Sequence, residues 1–324
     1  MIEHILACIL CTSPLAITGN DSGLWFMGDV APDKSAFSSR AKDLDFDLCQ
    51  RYSSNEYVAV APFTRRPSYL AVEADTLWFV DASAGVGLYS MKLENVKSTS
   101  TSKNLLVRMP ILQSIYKTIE KPTGLVILEE QPVLIFDEPE NHATTMVQFK
   151  DKDWVSLPSL PESGAKVALF GGQLHAAVPT DGGASLWYLQ NGSWLSGDIV
   201  KFDGDLIDLL YRDNWPILVT SNAKDVTLTG IQQGGPIHLA TLPLPKGRWG
   251  VASTTEGLTV IGVQRKGVIT SIDIGWPSGS VAEPIVLQER FKEDDSLLVS
   301  VLFVSLVLAS LLLISKTRKP LQKK

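Results

Sequence analysis

The chain has 324 residues, 29 of them basic and 35 acidic, with an ordinary 45% hydrophobic content, enough for one large or two smaller domains. Five basic residues and no acidic one follow Ser315, so the rest of the chain carries 24 basic against 35 acidic residues, a net of −11. A body that acidic repels phosphate backbones, so nucleic acid is not an expected partner.

At the N-terminus, Ile5 to Leu10 is apolar, and Ser13 and Ala16 are small residues of the kind that precede a cleavage site. The stretch has no Lys or Arg before it and carries Glu3, so residues 1–13 read as a shortened signal segment or, alternatively, as part of a first strand. Cys8 and Cys11 lie in this region, and Cys49 is the third cysteine; with the N-terminus removed no intrachain disulfide can form.

From Pro14 the chain repeats itself. Six times it presents an apolar strand, a tight polar turn and a second apolar strand: PLAITGNDSGLWFMG, SYLAVEADTLWFVD, TGLVILEEQPVLIFD, AKVALFGGQLHAAVP, IDLLYRDNWPILVTS and WGVASTTEGLTVIGV. Aligned on the second strand, Leu24, Leu77, Val133, Leu174, Ile217 and Leu258 stand 53, 56, 41, 43 and 41 residues apart. More polar hairpins follow the pairs, clearest in TTMVQFKDKDWVSL and SLWYLQNGSWLSG, with VTLTGIQQGGPIHLATL and VITSIDIGWPSGSVAEPIVL on the same plan. Asn191-Gly192 is a strong two-residue hairpin signal because both positions tolerate positive φ. Asn20 and Asn191 also head glycosylation-type triplets, which read more simply as turns.

Four strands per unit, the inner two apolar and the outer two alternating, is the plan of a β-propeller blade. The sequence therefore predicts an all-β chain, a six-bladed β-propeller over residues 14–290; a large β-sandwich or two small β domains is the competing architecture. Ala31 to Arg51 and Asn95 to Pro122 read as insertions in the looser first half, with an exposed loop at Ser98–Ser102 and a strand followed by a short helix over Leu105 to Ile119.

After an acidic linker (291–296) the chain turns apolar. Ser296 to Ser315 contains no charge and is mostly Leu, Val and Ile. A helix rising about 1.5 Å per residue over that length matches a hydrocarbon core of about 30 Å, which predicts a transmembrane helix at 297–315. Lys316, Arg318, Lys319, Lys323 and Lys324 follow it, and positive flanks stay cytoplasmic, so residues 316–324 form the expected cytoplasmic tail and the propeller lies outside. A tail-anchored protein with a cytoplasmic propeller is the reverse reading.

Chemistry is harder to find. His4, His142, His175 and His238 are scattered, and none stands in a metal-ligand spacing. His175, in an apolar strand, reads as a hydrogen-bonded core residue. No GxSxG, P-loop or post-strand GxGxxG is present. Asp137, Glu138, Glu140, Asn141 and His142 (FDEPENHAT) gather oxygen donors but lack the spacing and central Gly of a calcium loop. Asp43, Asp45 and Asp47 alternate along one face of a predicted strand. Trp25 and Trp78 recur at one inner-strand position, and Trp154 and Trp194 at one outer position, which predicts packing between blades. No catalytic, cofactor-binding or metal-ligating residue is assigned.

A strand pair followed by a hairpin with a Trp segment and Leu-Pro (DWVSLPSLP) resembles the kelch-type propeller repeat, although Gly171-Gly172 is the one echo of its double glycine. The LWF-type repeats ahead of an apolar segment resemble more narrowly the extracytoplasmic propeller of planctomycete RDD-family membrane proteins, from Pro14 to about Ser315. In that family a multi-helix membrane domain follows; here one span is expected, so a transport role does not carry over. The expected function is a membrane-anchored propeller of a bacterial periplasm, binding a protein or glycan partner without catalysis. A carbohydrate hydrolase or lyase with carboxylates at the central channel, and an accessory subunit of a membrane complex, are the alternatives.

Overall fold

The computed structural model describes residues 15–289 apart from 21–22, 30–45, 52, 64–66, 82–86, 93–106, 109–120, 152, 246 and 265–267. The signal segment, Asp43, Asp45, the linker, the predicted span and the basic tail lie outside the described residues, and no helix among those described is long and apolar enough to cross a membrane. Contacts divide the chain after Glu289 into two units.

The described unit is a six-bladed β-propeller. Blade 1 holds β1 (Ile17–Asn20), β2 (Gly23–Asp29), β3 (Phe46–Arg51) and β4 (Glu56–Phe63); blade 2 holds β5 (Tyr69–Glu73), β6 (Thr76–Asp81), β7 (Gly87–Lys92) and β8 (Val107–Arg108). Blade 3 holds β9 (Pro122–Leu128), β10 (Gln131–Glu138), β11 (Ala143–Lys150) and β12 (Asp153–Leu160), and blade 4 β13 (Lys166–Phe170), β14 (Gln173–Thr180), β15 (Gly183–Gln190) and β16 (Ser193–Lys201). Blade 5 holds β17 (Asp205–Arg212), β18 (Trp215–Ser221), β19 (Asp225–Gln232) and β20 (Gly235–Pro243). Blade 6 holds β21 (Arg248–Thr254), β22 (Gly257–Val263), β23 (Ile269–Gly275) and β24 (Ile285–Val286). The first strands pack side by side in ring order, from β1 through β5, β9, β13, β17 and β21 back to β1.

The six aligned positions all fall in second strands, and each is buried: Leu24, Leu77, Val133, Leu174, Ile217 and Leu258 are at most 2% exposed. Second strands have a blade on either side, so alternate residues feed two different wedges of core. Six apolar clusters fill the six gaps between neighbouring blades. Trp25 belongs to the wedge between blades 1 and 2, and Trp78 and Trp154 to that between blades 2 and 3. Trp194 packs against the wedge between blades 3 and 4, where its Nε1 donates to the Pro158 carbonyl at 2.8 Å.

Several expectations need correction. The first strands are not uniformly buried like the second: β1 is half-buried throughout and β17 nearly so, because one edge of each faces the central channel, whereas β21 is buried over its first five residues. The stretches read as insertions contribute blade strands, β3 in Ala31 to Arg51 and β8 in Asn95 to Pro122; β8 falls within the strand expected over Leu105 to Ile119, and the helix expected after it lies outside the described residues. Asn191 (φ 50°) and Gly192 (φ 75°) do form the tight turn between β15 and β16.

Ring closure has its own device. The chain returns past blade 6 as β25 (Gln288–Glu289), which pairs parallel to Glu56 and Tyr57 on the outer edge of blade 1. Leu287 just before it is buried in the wedge between blades 6 and 1 with Cys49, Phe26 and Ile261. At the same seam Arg51 of β3 grips Asp273 of β23 with two hydrogen bonds of 2.6 Å, and Thr259 donates to the same carboxylate at 2.9 Å. Burial pushes the Asp273 carboxyl up, but the bonds from Arg51 outweigh it and hold the group below its ordinary value.

Arg51→Met is expected to destabilise the protein by about 1–3 kcal/mol at neutral pH, a figure discounted because the Asp273 side chain is 36% exposed. Arg51→Met combined with Asp273→Leu should regain part of that loss. A carboxyl with a depressed pKa contributes stability above its unfolded value of 3.8 and loses it as the pH falls through the folded value. Urea unfolding at pH 7 should therefore separate wild type from Arg51→Met more widely than unfolding at acid pH.

Candidate functional site

A propeller brings side chains from different blades together at the ends of its channel, one of which is where the first strands begin. Tyr69 is the first residue of β5, Lys166 the first of β13, and Asp208 lies four residues into β17. Asp137 comes from the end of β10, which runs antiparallel to β9 and so reaches the same end. Blades 2, 3, 4 and 5 thus each send one polar residue there.

Their charges bear on one another. Burial raises the Tyr69 hydroxyl to about 12, with the negative charges of Asp137 and Asp208 adding to the effect. Burial also raises Asp208 from 3.8 to about 6, opposed by the Leu209 N–H and by the positive charge of Lys166. The Leu209 N–H donates to Asp208 Oδ1 at 2.8 Å, and no other hydrogen bond to that carboxylate is made among the described residues. Asp208 stands beside a β-bulge, where the register between β17 and β18 slips between Leu206 and Asp208. A bulge re-aims a side chain that would otherwise point into a ladder position.

Asp137 is held differently. Its Oδ1 accepts from the Gly164 N–H at 2.8 Å and from Thr144 Oγ1 at 3.1 Å, and Thr144 also donates to the Glu162 carbonyl at 2.8 Å. Gly164 adopts a φ of 79°, which lets the connection from blade 3 to blade 4 present its amide to the carboxylate. Asp137 therefore ties that connection down through one oxygen.

The acidic loop that the sequence singles out is thereby split. Asp137 faces the connection between blades 3 and 4, while Glu138 accepts from Asn141 Nδ2 at 2.9 Å and from Thr145 at 3.0 Å. Glu140 and His142 are exposed on a 3-10 turn, Pro139–Asn141. Among the described residues no three His, Cys, Asp or Glu side chains come together as a metal ion needs. His238 is exposed on an outer strand, and His4 lies outside the described residues.

His175 departs from its reading as a hydrogen-bonded core residue. It is half-buried, with no hydrogen bond to its ring among the described residues, and it sits among Phe170, Tyr188 and Tyr211. Tyr69, Lys166 and Asp208 were not singled out by sequence. Asp208 left a signal there: it is a carboxylate inside an otherwise apolar first strand, DLIDLLYR.

No protein-family model matches the chain, and no curated protein matches its sequence. Among solved structures it is similar to a chain of a nidogen/laminin complex, at 8% identity with a TM-score of 0.53, covering 81% of this chain and 92% of that one. A candidate 6-phosphogluconolactonase from Bacteroides fragilis is similar at 12% identity with a TM-score of 0.50, covering 83% of this chain and 96% of that one. At such identities the likeness is one of fold.

The raised Asp208 carboxyl gives a signed expectation. Between about pH 4 and pH 6 the folded state holds this proton more tightly than the unfolded chain, so stability falls as pH rises through that window. Asp208→Asn should abolish that fall and stabilise the protein at pH 7 by up to about 3 kcal/mol. Denaturant midpoints of wild type and variant at pH 4 and pH 7 check both statements.

Proposed function

We propose that the propeller is a membrane-tethered, extracytoplasmic binding module that recognises its partner at the channel end built by Tyr69, Asp137, Lys166 and Asp208. The observation that carries this reading is Asp208. A carboxylate kept half-buried against its own solvation, with one backbone donor among the described residues, lowers stability without serving a wedge. Groups held at such a cost are characteristic of places where a ligand completes the missing interactions.

The tether rests on composition. The uncharged run from Ser296 to Ser315 begins seven residues beyond β25, and the basic tail after it orients the propeller outward. Residues 1–13 are then the segment that starts export. The arrangement agrees with the resemblance to RDD-family propellers, which also precede a membrane segment.

A second reading, hydrolysis or elimination on a carbohydrate, has one observation in its favour. Two carboxylates bear on Tyr69, and one of them titrates near 6, where a general acid works well at neutral pH. Partner capture and turnover separate the two.

In spheroplasts of a bacterial host, the full chain should resist alkaline carbonate extraction, and externally added protease should degrade the propeller. A propeller protected until the membrane is permeabilised sinks the outward topology. A photo-crosslinking residue at position 69 should yield a discrete adduct that Asp208→Asn and Lys166→Ala diminish together. Release of sugar fragments that depends on Asp208 and Asp137, with no adduct, decides for the enzyme.

A further inference from the structure

The wedge between blades 4 and 5 is built unlike the other five. Three of its six buried residues are alanines, Ala168, Ala177 and Ala184, a larger share than in the other wedges, where Val, Leu and Ile predominate. Toward the end of the ring that carries the turns between first and second strands, this lean core gives way to a cluster of rings. Phe170, the last residue of β13, stacks on Tyr211 of β17 with centroids 4.5 Å apart and planes at 11°. His175 stands edge-on to both, 5.7 Å from Phe170 and 5.1 Å from Tyr211.

From His175 the cluster continues outward across the blade. His175 pairs with Tyr188, and Tyr188 with Leu195, so three successive strands place these side chains in one row on the same face. Exposure rises along it: His175 is half-buried, Tyr188 is 37% exposed and Leu195 is 40% exposed. At a strand spacing of about 4.8 Å the row runs about 10 Å from β14 to β16. Two positions along the same strands, Gln173 and Gln190 belong to the same face by the period-two alternation, and both are exposed.

Three properties of this track bear on what it could hold. First, it is aromatic and partly open, although a ring like Tyr188 is ordinarily covered in a well-packed wedge. Second, its polar tips are unused: among the described residues, no hydrogen bond engages the Tyr188 or Tyr211 hydroxyls or either ring nitrogen of His175. Third, it is uncharged, because no Lys, Arg, Asp or Glu stands in either row and burial holds His175 below its ordinary value and so neutral. Arg212, next to Tyr211, is turned away to the Thr255 carbonyl of blade 6.

We propose that this track on blade 4, against blade 5, is a second binding site that takes a short neutral carbohydrate chain. A pyranose ring has an apolar C–H face that lies on an aromatic ring and a rim of hydroxyls that both donate and accept. Tyr188 supplies the platform, Tyr211 and His175 supply tips at its inner end, and Gln173 and Gln190 supply amides at its side. A charged glycan would be desolvated here with no counter-charge. A proline-type peptide would use the rings but leave most of those tips without partners. The site is separate from the channel end and does not depend on the reading given to that end.

Saturation-transfer NMR and calorimetry on the full chain in nanodiscs, with maltohexaose, cellohexaose and the hexamer of N-acetylglucosamine, test this directly. At least one of the three should bind, Tyr188→Ala should weaken it at least about tenfold and Gln190→Ala about threefold, as expected for a central aromatic contact and a flanking polar one. Val155→Thr, at a residue 47% exposed on the outer strand of blade 3, should leave the affinity unchanged. Absence of binding by all three sugars overturns the proposal. So does binding indifferent to both variants in a protein whose circular dichroism is unaltered, and so does decaproline binding at Tyr188 in place of the sugars.

Discussion

Everything in this molecule depends on burying each blade's second strand between two neighbours. A sheet with one apolar face needs one partner; these sheets are apolar on both faces of the second strand and need two. The core is accordingly divided into six wedges, and each blade belongs to two of them. Such an arrangement has no natural end, since any first or last blade would leave one face in water. The ring has to close, and the seam between blades 6 and 1 is where the chain does it. Leu287 fills the wedge, β25 adds to the edge of blade 1, and Arg51 reaches across to Asp273. A half-buried ion pair such as this is a weak source of net stability but a strict one of geometry, because either partner left alone is costly. That suits a seam, where alignment must be set once.

The same division explains where chemistry can be accommodated. A wedge tolerates little, being packed by interdigitating side chains from both blades. The first strands are different: one edge borders the channel, so a polar residue near their starts displaces less core. Tyr69 and Lys166 open their strands, with Tyr69 packed against the wedge between blades 2 and 3; Asp208 is the fourth residue of its own, and Asp137 reaches the same end from its second strand. Because the blades are rigid and mutually braced, four residues far apart in sequence keep a stable geometry without a dedicated loop. The stability cost falls chiefly on Asp208, whose burial is opposed by one amide and a neighbouring lysine.

How legible this was from sequence follows from which forces are local. The six second strands could be located because burial on both faces demands an unbroken apolar run, and Leu24 through Leu258 mark it each time. The register slips by one residue at Val133 and Ile217, which face the following blade where the other four face the preceding one, because a run apolar on both faces does not show which face a residue takes. The Asn191-Gly192 turn was legible because its backbone angles require those residue types. Inside Ala31–Arg51 and Asn95–Pro122 a strand could be read around Asp43 to Asp47 and within Leu105 to Ile119, but long polar stretches separate each from its partners, so neither could be assigned to a blade. β25 could not be read at all: two residues, Gln288 and Glu289, gain their meaning from Glu56 and Tyr57 more than two hundred residues earlier. The candidate site was hidden for the same reason, being an agreement among four blades. Asp137 was noticed for its acidic neighbours, yet those neighbours turn elsewhere and its real partners are Thr144 and Gly164. His175 was placed in the right strand, but its surroundings come from Tyr188 and from Tyr211 of the next blade.

The six wedges are not equal, and that inequality locates function within an otherwise regular ring. In repeat architectures cohesion is nearly a sum of neighbour interfaces, so one interface can be lean while the others hold the assembly. The lean one lies between blades 4 and 5, with alanines at its heart. At one end of this junction stand Lys166 and Asp208, and at the other Phe170, His175 and Tyr211. Apolar bulk has been exchanged there for groups with unspent hydrogen-bonding capacity. Selection for stability alone would favour Leu or Val at such positions, the kind of residue that fills the wedge between blades 5 and 6. The ring can sustain that exchange at this junction because closure is secured elsewhere, at the seam between blades 6 and 1.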